Sequence, residues 1–266
     1  MRELFSKTPL LLGVVHLGPL PGSPRFGGDR TELLRAARSD AEALIGGGLD
    51  GLVVENFGDC PFHSDEVEPI TVAEMAHIVA NLRALVGPEP VLGVNVLRND
   101  ARAALAVAAA GGADFIRVNV HTGAMLTDQG WIEGRADQTL RARRRWEAPQ
   151  VKIFADVGVK HALRPPQFEI AEAAREAAGR GLADALIVSG VATGAPADLQ
   201  ELSTVVQAVP QTPVLVGSGA DATSIASILE FAQGVIVGTS IKEGGEVSQP
   251  VDRERVQQLV AAARSR

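Results

Sequence analysis

One cysteine, Cys60, stands in a chain of 266 residues, which excludes an intrachain disulfide and a cysteine-based metal cluster. No apolar run approaches the roughly 20 residues needed to cross a bilayer, so no transmembrane span is expected. Basic residues are in deficit: 25 Lys and Arg against 32 Asp and Glu leave a net charge of −7. Nucleic acid is held through its phosphates by basic surface, so no nucleic-acid partner is expected. The densest basic stretch, Arg135 to Arg145, reads as a solvated helix face. Met1-Arg2-Glu3 opens almost directly into an apolar strand, leaving no room for a cleavable signal, and the cytoplasm is the expected address. No low-complexity linker interrupts the chain, and no glycine fingerprint follows the first strand, which disfavours an open doubly wound sheet.

What is present fits a large globular core. Hydrophobic residues make up 46% and charged residues 21%, enough for one domain over 1–266. Four segments share a design: G-G-G-L-D-G-L-V-V-E (46–55), A-G-G-A-D-F-I-R-V-N (110–119), R-G-L-A-D-A-L-I-V-S (180–189) and A-Q-G-V-I-V-G-T (232–239). Each is a glycine-bearing turn running into a β-branched stretch that stops at a small or polar residue, as a buried parallel strand should. Three more strands follow prolines, at Pro90, Pro149 and Pro213, and L-L-L-G-V-V-H (10–16) leads the series. Eight such strands alternating with alanine-rich stretches predict a (β/α)8 TIM barrel, a fold of about 250 residues. The two tightest steps, from the third strand to the fourth and from the seventh to the eighth, leave space for a helix of roughly ten residues.

Barrel chemistry sits at the carboxyl ends of the strands. Those ends carry His16, then Glu55 with Asn56, Asn95, Asn119 with His121, Asp156, and Ser189 with Thr193 behind it. The last two strands run into V-G-S-G-A-D and V-G-T-S-I-K. Such turns bring backbone N–H groups close to an anion, so Gly217, Ser218, Gly219, Gly238, Thr239 and Ser240 are the expected phosphate cradle, with Lys242 adding charge. The competing reading is that these glycines only make the tight turns every barrel needs. Glu55 and Asp156 are the carboxylates placed for acid–base work, and His16, Asn95 and Asn119 join them as catalytic candidates. If their side chains converge, His16, Glu55 and Asp156 form a site for a divalent metal; otherwise they are structural caps of the mouth. FMN is a further, less favoured cofactor, admitted because its phosphate uses the same two turns. The Pro/Gly-rich first loop is a candidate lid.

Other reactive side chains read less sharply. Cys60 with His63 suggests a thiolate but is more simply incidental. Lys152 opens the fifth strand and so belongs to the wrong rim for a Schiff base. Lys160, His161 and Arg164 form an anion clamp or a solvated loop, and His77 lies within an amphipathic helix.

The motifs G-V-V-H-L-G-P-L-P-G-S-P, G-L-D-G-L-V-V-E-N-F-G-D-C-P-F (48–62), V-G-S-G-A and G-V-I-V-G-T-S-I-K, with P-V-D-R-E-R-V at 250–256, resemble the BtpA/SgcQ family from end to end. The resemblance implies a phosphate-binding TIM barrel. It marks His16, Pro19, Pro21, Gly22, Ser23 and Pro24 in the first loop, and Glu55 to Asp59 with Pro61 and Phe62 in the second. Cys60 departs from it, standing where relatives carry an aliphatic residue. Within the family, one photosynthetic member is linked to photosystem I biogenesis and enterobacterial members sit among sugar-metabolism genes. The leading expectation is an enzyme for a phosphorylated sugar or nucleotide-like molecule: a lyase, an isomerase or a glycosidic-bond-cleaving enzyme. The alternative is a noncatalytic factor docking peripherally on a membrane complex, and a second copy of the chain is a compatible partner in either case.

Overall fold

The computed structural model describes residues 4–5, 9–159, 162–190 and 198–265. In chain order the elements are β1 (Leu10–His16), α1 (Arg30–Gly46), β2 (Gly51–Glu55), α2 (Pro69–Val86), β3 (Val91–Asn95), α3 (Ala101–Gly111) and β4 (Phe115–Val118). Then come β5 (Ala124–Thr127), β6 (Gly130–Glu133), α4 (Ala136–Arg145), β7 (Lys152–Val157), β8 (Ala162–Leu163), α5 (Ile170–Gly179) and β9 (Ala185–Val188). The chain closes with α6 (Leu199–Ala208), β10 (Val214–Val216), α7 (Ile225–Ile228), β11 (Gly234–Val237) and α8 (Arg253–Arg264).

Eight strands form a closed parallel barrel in the order β1-β11-β10-β9-β7-β4-β3-β2, and they are the eight expected from the sequence. Their runs are almost wholly apolar because both faces are covered. Alternate residues point inward, so Leu10, Leu12, Val14, Val53, Val91, Phe115, Phe154, Ile187, Leu215 and Ile236 fill the barrel. Their neighbours, such as Leu11, Leu52, Leu92, Ile116 and Ile153, pack under the helices. Phe115 and Phe154 stack in the middle with centroids 4.1 Å apart. Gly93 makes that possible, since a Cβ there would lie 2.2 Å from the Phe115 ring.

The four glycine-bearing segments have a common purpose at the amino rim. Asp50, Asp114 and Asp184 stand just before β2, β4 and β9, and Gln233 stands just before β11. Each donates its own N–H to a carbonyl of the preceding barrel strand, at Leu11, Leu92, Ile153 and Val214 respectively. Each then accepts the N–H of that same residue on its side chain, at 2.8 to 3.0 Å. Arg264, Arg83, Arg143 and Lys152 neutralise the three aspartates, which places Lys152 at the amino rim as expected.

Two features depart from the sequence reading. The loop after β4 forms a hairpin, β5–β6, and β8 from the loop after β7 joins it in a three-stranded antiparallel sheet ordered β6-β5-β8. The tightest connection, between β10 and β11, holds only the four-residue α7 rather than about ten helical residues. Arg141, Arg144 and Arg145 of α4 are exposed, in keeping with a solvated face. Among the described residues no helix is long and apolar enough to cross a membrane.

Candidate active site

Above the aromatic layer the inward positions turn polar. On β4 the inward residue after Phe115 is Arg117, a guanidinium only 2% exposed in the centre of the barrel. A buried charge needs a partner in fixed geometry, and Asp156 on β7 supplies it. Arg117 Nε and Nη2 each donate to a different Asp156 oxygen at 2.9 Å. Ser189 Oγ and Asn119 Nδ2 donate to the same carboxylate at 3.1 Å. Burial works against the Arg117 charge, but the field and hydrogen bonds of Asp156, with the field of Glu55, outweigh it and raise its pKa above the usual guanidinium range. Across the mouth, Asn95 Nδ2 donates to Glu55 Oε2 at 2.8 Å. Both asparagines thus have their NH2 groups held by carboxylates. Their Oδ1 atoms are buried without a donor among the described residues, a condition that costs about 1–3 kcal/mol per group.

On one side of this layer the turns after β10 and β11 enclose a cavity of about 210 Å³, whose lining includes His16, Glu55, Arg117, Gly217, Ser218 and Thr239. The glycines are required by closeness. A Cβ on Gly217 would lie 2.4 Å from Ile187 and 3.0 Å from Arg117 Nη2, and one on Gly238 would lie 2.8 Å from the His16 ring. Gly219 has φ +78°, which only glycine adopts readily. The N–H groups of Gly219 and Ala220 donate to no protein acceptor among the described residues. Ser218 Oγ accepts from Gly190 N at 3.2 Å, and Ser240 Oγ donates to Ala220 O. Asp221, also on this wall, accepts four hydrogen bonds from Thr223 and Ser224. Burial opposes its charge, but those bonds keep its carboxyl below the ordinary range.

On the other side, Glu55 and Arg117 also line a second cavity of about 340 Å³, walled by Phe57, Gly58, Cys60, Phe62 and Leu97. Apart from Leu97, which follows β3, this wall comes from the loop after β2 docked onto the loop after β1. Gly58 lies so close that a Cβ would be 2.4 Å from Pro19 N, and its N–H donates to Leu17 O. Asp59 accepts from Leu20 N at 2.7 Å and Asn56 Nδ2 at 3.0 Å. Burial pushes the Asp59 carboxyl above its ordinary range, against those bonds and the nearby His63. Phe57 meets His16 edge-on at 4.8 Å. The first loop is therefore fastened as far as Leu20, which is fully buried, and its stretch beyond Pro21 is largely exposed.

The BtpA family model matches residues 7–265. The chain belongs to the BtpA family. It is 48% identical over 260 residues to the photosystem I biogenesis protein BtpA of a Synechocystis species, covering 98% of this chain and 90% of the relative. Its fold is shared with thiamine phosphate pyrophosphorylase from Pyrococcus furiosus at TM-score 0.60, 19% identity and 97% coverage of both chains. Phosphoribosyl anthranilate isomerase from Thermus thermophilus follows at TM-score 0.58 and 12% identity, covering 96% of this chain and 98% of that one. Within the family motifs, the structure gives Gly58, Asp59, Asn56 and Phe57 the work of holding two loops together, while Glu55 faces the cavities.

Several expected residues lie elsewhere. Lys242 does not reach the cradle: its Nζ is buried against Asp40 Oδ2 of α1 at 2.6 Å, and Asp40 also takes Val251 N. The positive charge beside the cradle comes from Arg117, which the apolar pattern of the fourth strand concealed. Its place two residues before Asn119, on the inward parity, was the available signal. His16, Glu55 and Asp156 do not form a metal centre, since no group of three such side chains among the described residues is arranged to hold an ion and Asp156 is occupied by Arg117. His121 leaves the mouth altogether, its Nε2 lying 2.8 Å from Gly181 O in the connection between α5 and β9. Arg164 pairs with Glu201, and Lys160, His161 and Thr193 fall outside the described residues. No hydrogen bond joins Cys60 to His63 among the described residues. His77 is exposed on α2.

Proposed function

We propose that this protein is an enzyme that binds a phosphorylated small molecule at the carboxyl ends of the barrel strands. The phosphate sits in the turns after β10 and β11, and Glu55 performs acid–base chemistry on the part of the molecule beside it. The observation that carries this reading is the position of Glu55 and Arg117, which line the cradle and the neighbouring cavity alike. A ligand anchored in the cradle and reaching into the neighbouring cavity passes both. The names of the structural neighbours, a thiamine phosphate pyrophosphorylase and a phosphoribosyl anthranilate isomerase, support a phosphorylated ligand.

In this scheme Gly219, Ala220 and the Ser218 and Thr239 hydroxyls hold the phosphate, with Arg117 supplying charge from below. Asn95 fixes one Glu55 oxygen, so the carboxyl group takes a proton from the ligand and returns it in one orientation. Arg117, fixed by Asp156, stabilises negative charge that develops on the ligand during transfer. Proton movement of this kind is common to isomerases, lyases and glycosidic-bond-cleaving enzymes. The test is a thermal-shift panel of inorganic phosphate, sugar phosphates, nucleotides and FMN, with and without divalent metals. Phosphorylated compounds should raise the melting temperature, and Ser218→Ala should reduce that shift. Flat traces from every anion would overturn the reading. With a substrate in hand, Glu55→Gln should lower turnover about 100-fold or more with the melting temperature nearly unchanged, and full turnover would remove Glu55 from the chemistry.

A second reading rests on the small sheet. Trp131 and Leu163 are 59% and 69% exposed, and both pair with Leu126 across the strands, so one face carries an apolar row. A noncatalytic docking factor, as the name of the Synechocystis relative suggests, would use that row. Replacing Trp131 and Leu163 by Glu should then abolish complementation of a host lacking the protein while Glu55→Gln does not. The reverse pattern supports the enzyme.

A further inference from the structure

Resting on the phosphate reading above, we infer that the second cavity is the pocket for a planar heterocycle, so that the ligand class is a nucleoside monophosphate rather than a bare sugar phosphate. The cavity is larger than the cradle and opens beside it, with Glu55 and Arg117 common to both. One side of it suits a ring: Phe57, Phe62 and Leu97 offer apolar and aromatic surface for the face of a planar group, opposite the polar side chains of Glu55, Asn95 and Asn119.

The polar groups of the cavity point to the same class. Asn95 is 1% and Asn119 4% exposed. Because Glu55 and Asp156 hold their NH2 groups, each carboxamide is fixed with an acceptor oxygen that has no donor among the described residues. Those two acceptors call for hydrogen-bond donors on the ligand, which the N–H groups of a ring edge supply. Arg117 lines the same space, and the guanidinium nitrogen that neither Asp156 nor Ser189 holds suits a ring carbonyl. A ring edge that offers both N–H donors and carbonyl acceptors is the edge of a nucleobase. The sugar then lies at the junction of the two cavities, beside Glu55.

Calorimetry with inorganic phosphate, ribose 5-phosphate, and uridine and adenosine 5′-monophosphates tests this on the full chain. At least one nucleotide should bind 10-fold or more tightly than ribose 5-phosphate, and Phe62→Ala should bring that ratio toward one. Cys60 gives an independent readout as the sole cysteine, placed on the wall: the preferred nucleotide should slow its alkylation by a maleimide, and inorganic phosphate should not. Phosphate and ribose 5-phosphate binding as tightly as the nucleotides, with none slowing alkylation, would overturn the ring pocket and leave the phosphate cradle standing. A free nucleoside matching its monophosphate in affinity, with phosphate inert, would remove the cradle and keep the ring pocket. FMN binding more tightly than either nucleotide would replace the nucleobase by a flavin ring.

Discussion

The two ends of the barrel use polar side chains in opposite ways. At the amino rim, Asp50, Asp114, Asp184 and Gln233 each hold a residue of the neighbouring strand at both its N–H and its C=O, and basic side chains neutralise the aspartates. At the carboxyl rim, carboxylates bind asparagines and an arginine in a way that leaves two acceptor atoms without donors among the described residues, beside the larger cavity. The first arrangement satisfies the groups it brings together; the second holds unsatisfied groups in place. On the proposed reading, that contrast separates residues kept for the fold from residues available to a ligand.

Substitutions sharpen the contrast. Arg117→Ala should have the largest effect, leaving Asp156 buried without its partner and costing about 3–5 kcal/mol in chemical denaturation, together with loss of phosphate-dependent stabilisation. Lys242→Ala leaves Asp40 in similar straits and should cost a comparable or slightly smaller amount, yet anion binding by calorimetry should be unchanged. A Lys242 variant that folds normally but no longer binds phosphate would restore this lysine to the cradle. At the amino rim, Asp114→Ala strands the Leu92 N–H and removes one partner of Arg83, and should cost about 1–3 kcal/mol with ligand affinity intact. The smallest effect is one of pH. Burial lowers the pKa of His121, against the Gly181 carbonyl that favours its charge. The unfolded state therefore takes up this proton first. Stability should be complete above the ordinary imidazole value of about 6.5 and decline as pH falls from there toward the folded-state pKa. His121→Asn should flatten that part of the pH–stability curve.

The strands were legible in the sequence because burial on both faces makes a continuous apolar run bounded by glycine or proline, a pattern few other environments require. The positions of Glu55, Asn95 and Asp156 followed from that count. The hairpin β5–β6 was harder to see: A-M-L-T and G-W-I-E are four residues each, and their signal was the turn Asp128-Gln129 with Gly130 at φ +88°. Lys242 shows what a local motif cannot supply. Its proximity to the glycine turn is real along the chain, but its side-chain direction is decided by Asp40, 202 positions away. Arg117 shows the converse, since a charge inside an apolar strand is legible only when the inward parity of that strand is followed to its end.

The amino-rim clasps also bear on how the chain reaches this form. Each joins positions only 19 to 39 residues apart, whereas the seam between β1 and β11 pairs Leu10 with Gly234. Closing a short loop sacrifices less chain entropy than closing a long one, and contacts near in sequence form sooner. The clasps therefore divide the barrel into four quarter-barrels, β1 with β2, β3 with β4, β7 with β9 and β10 with β11, each able to zip on its own before the seam shuts.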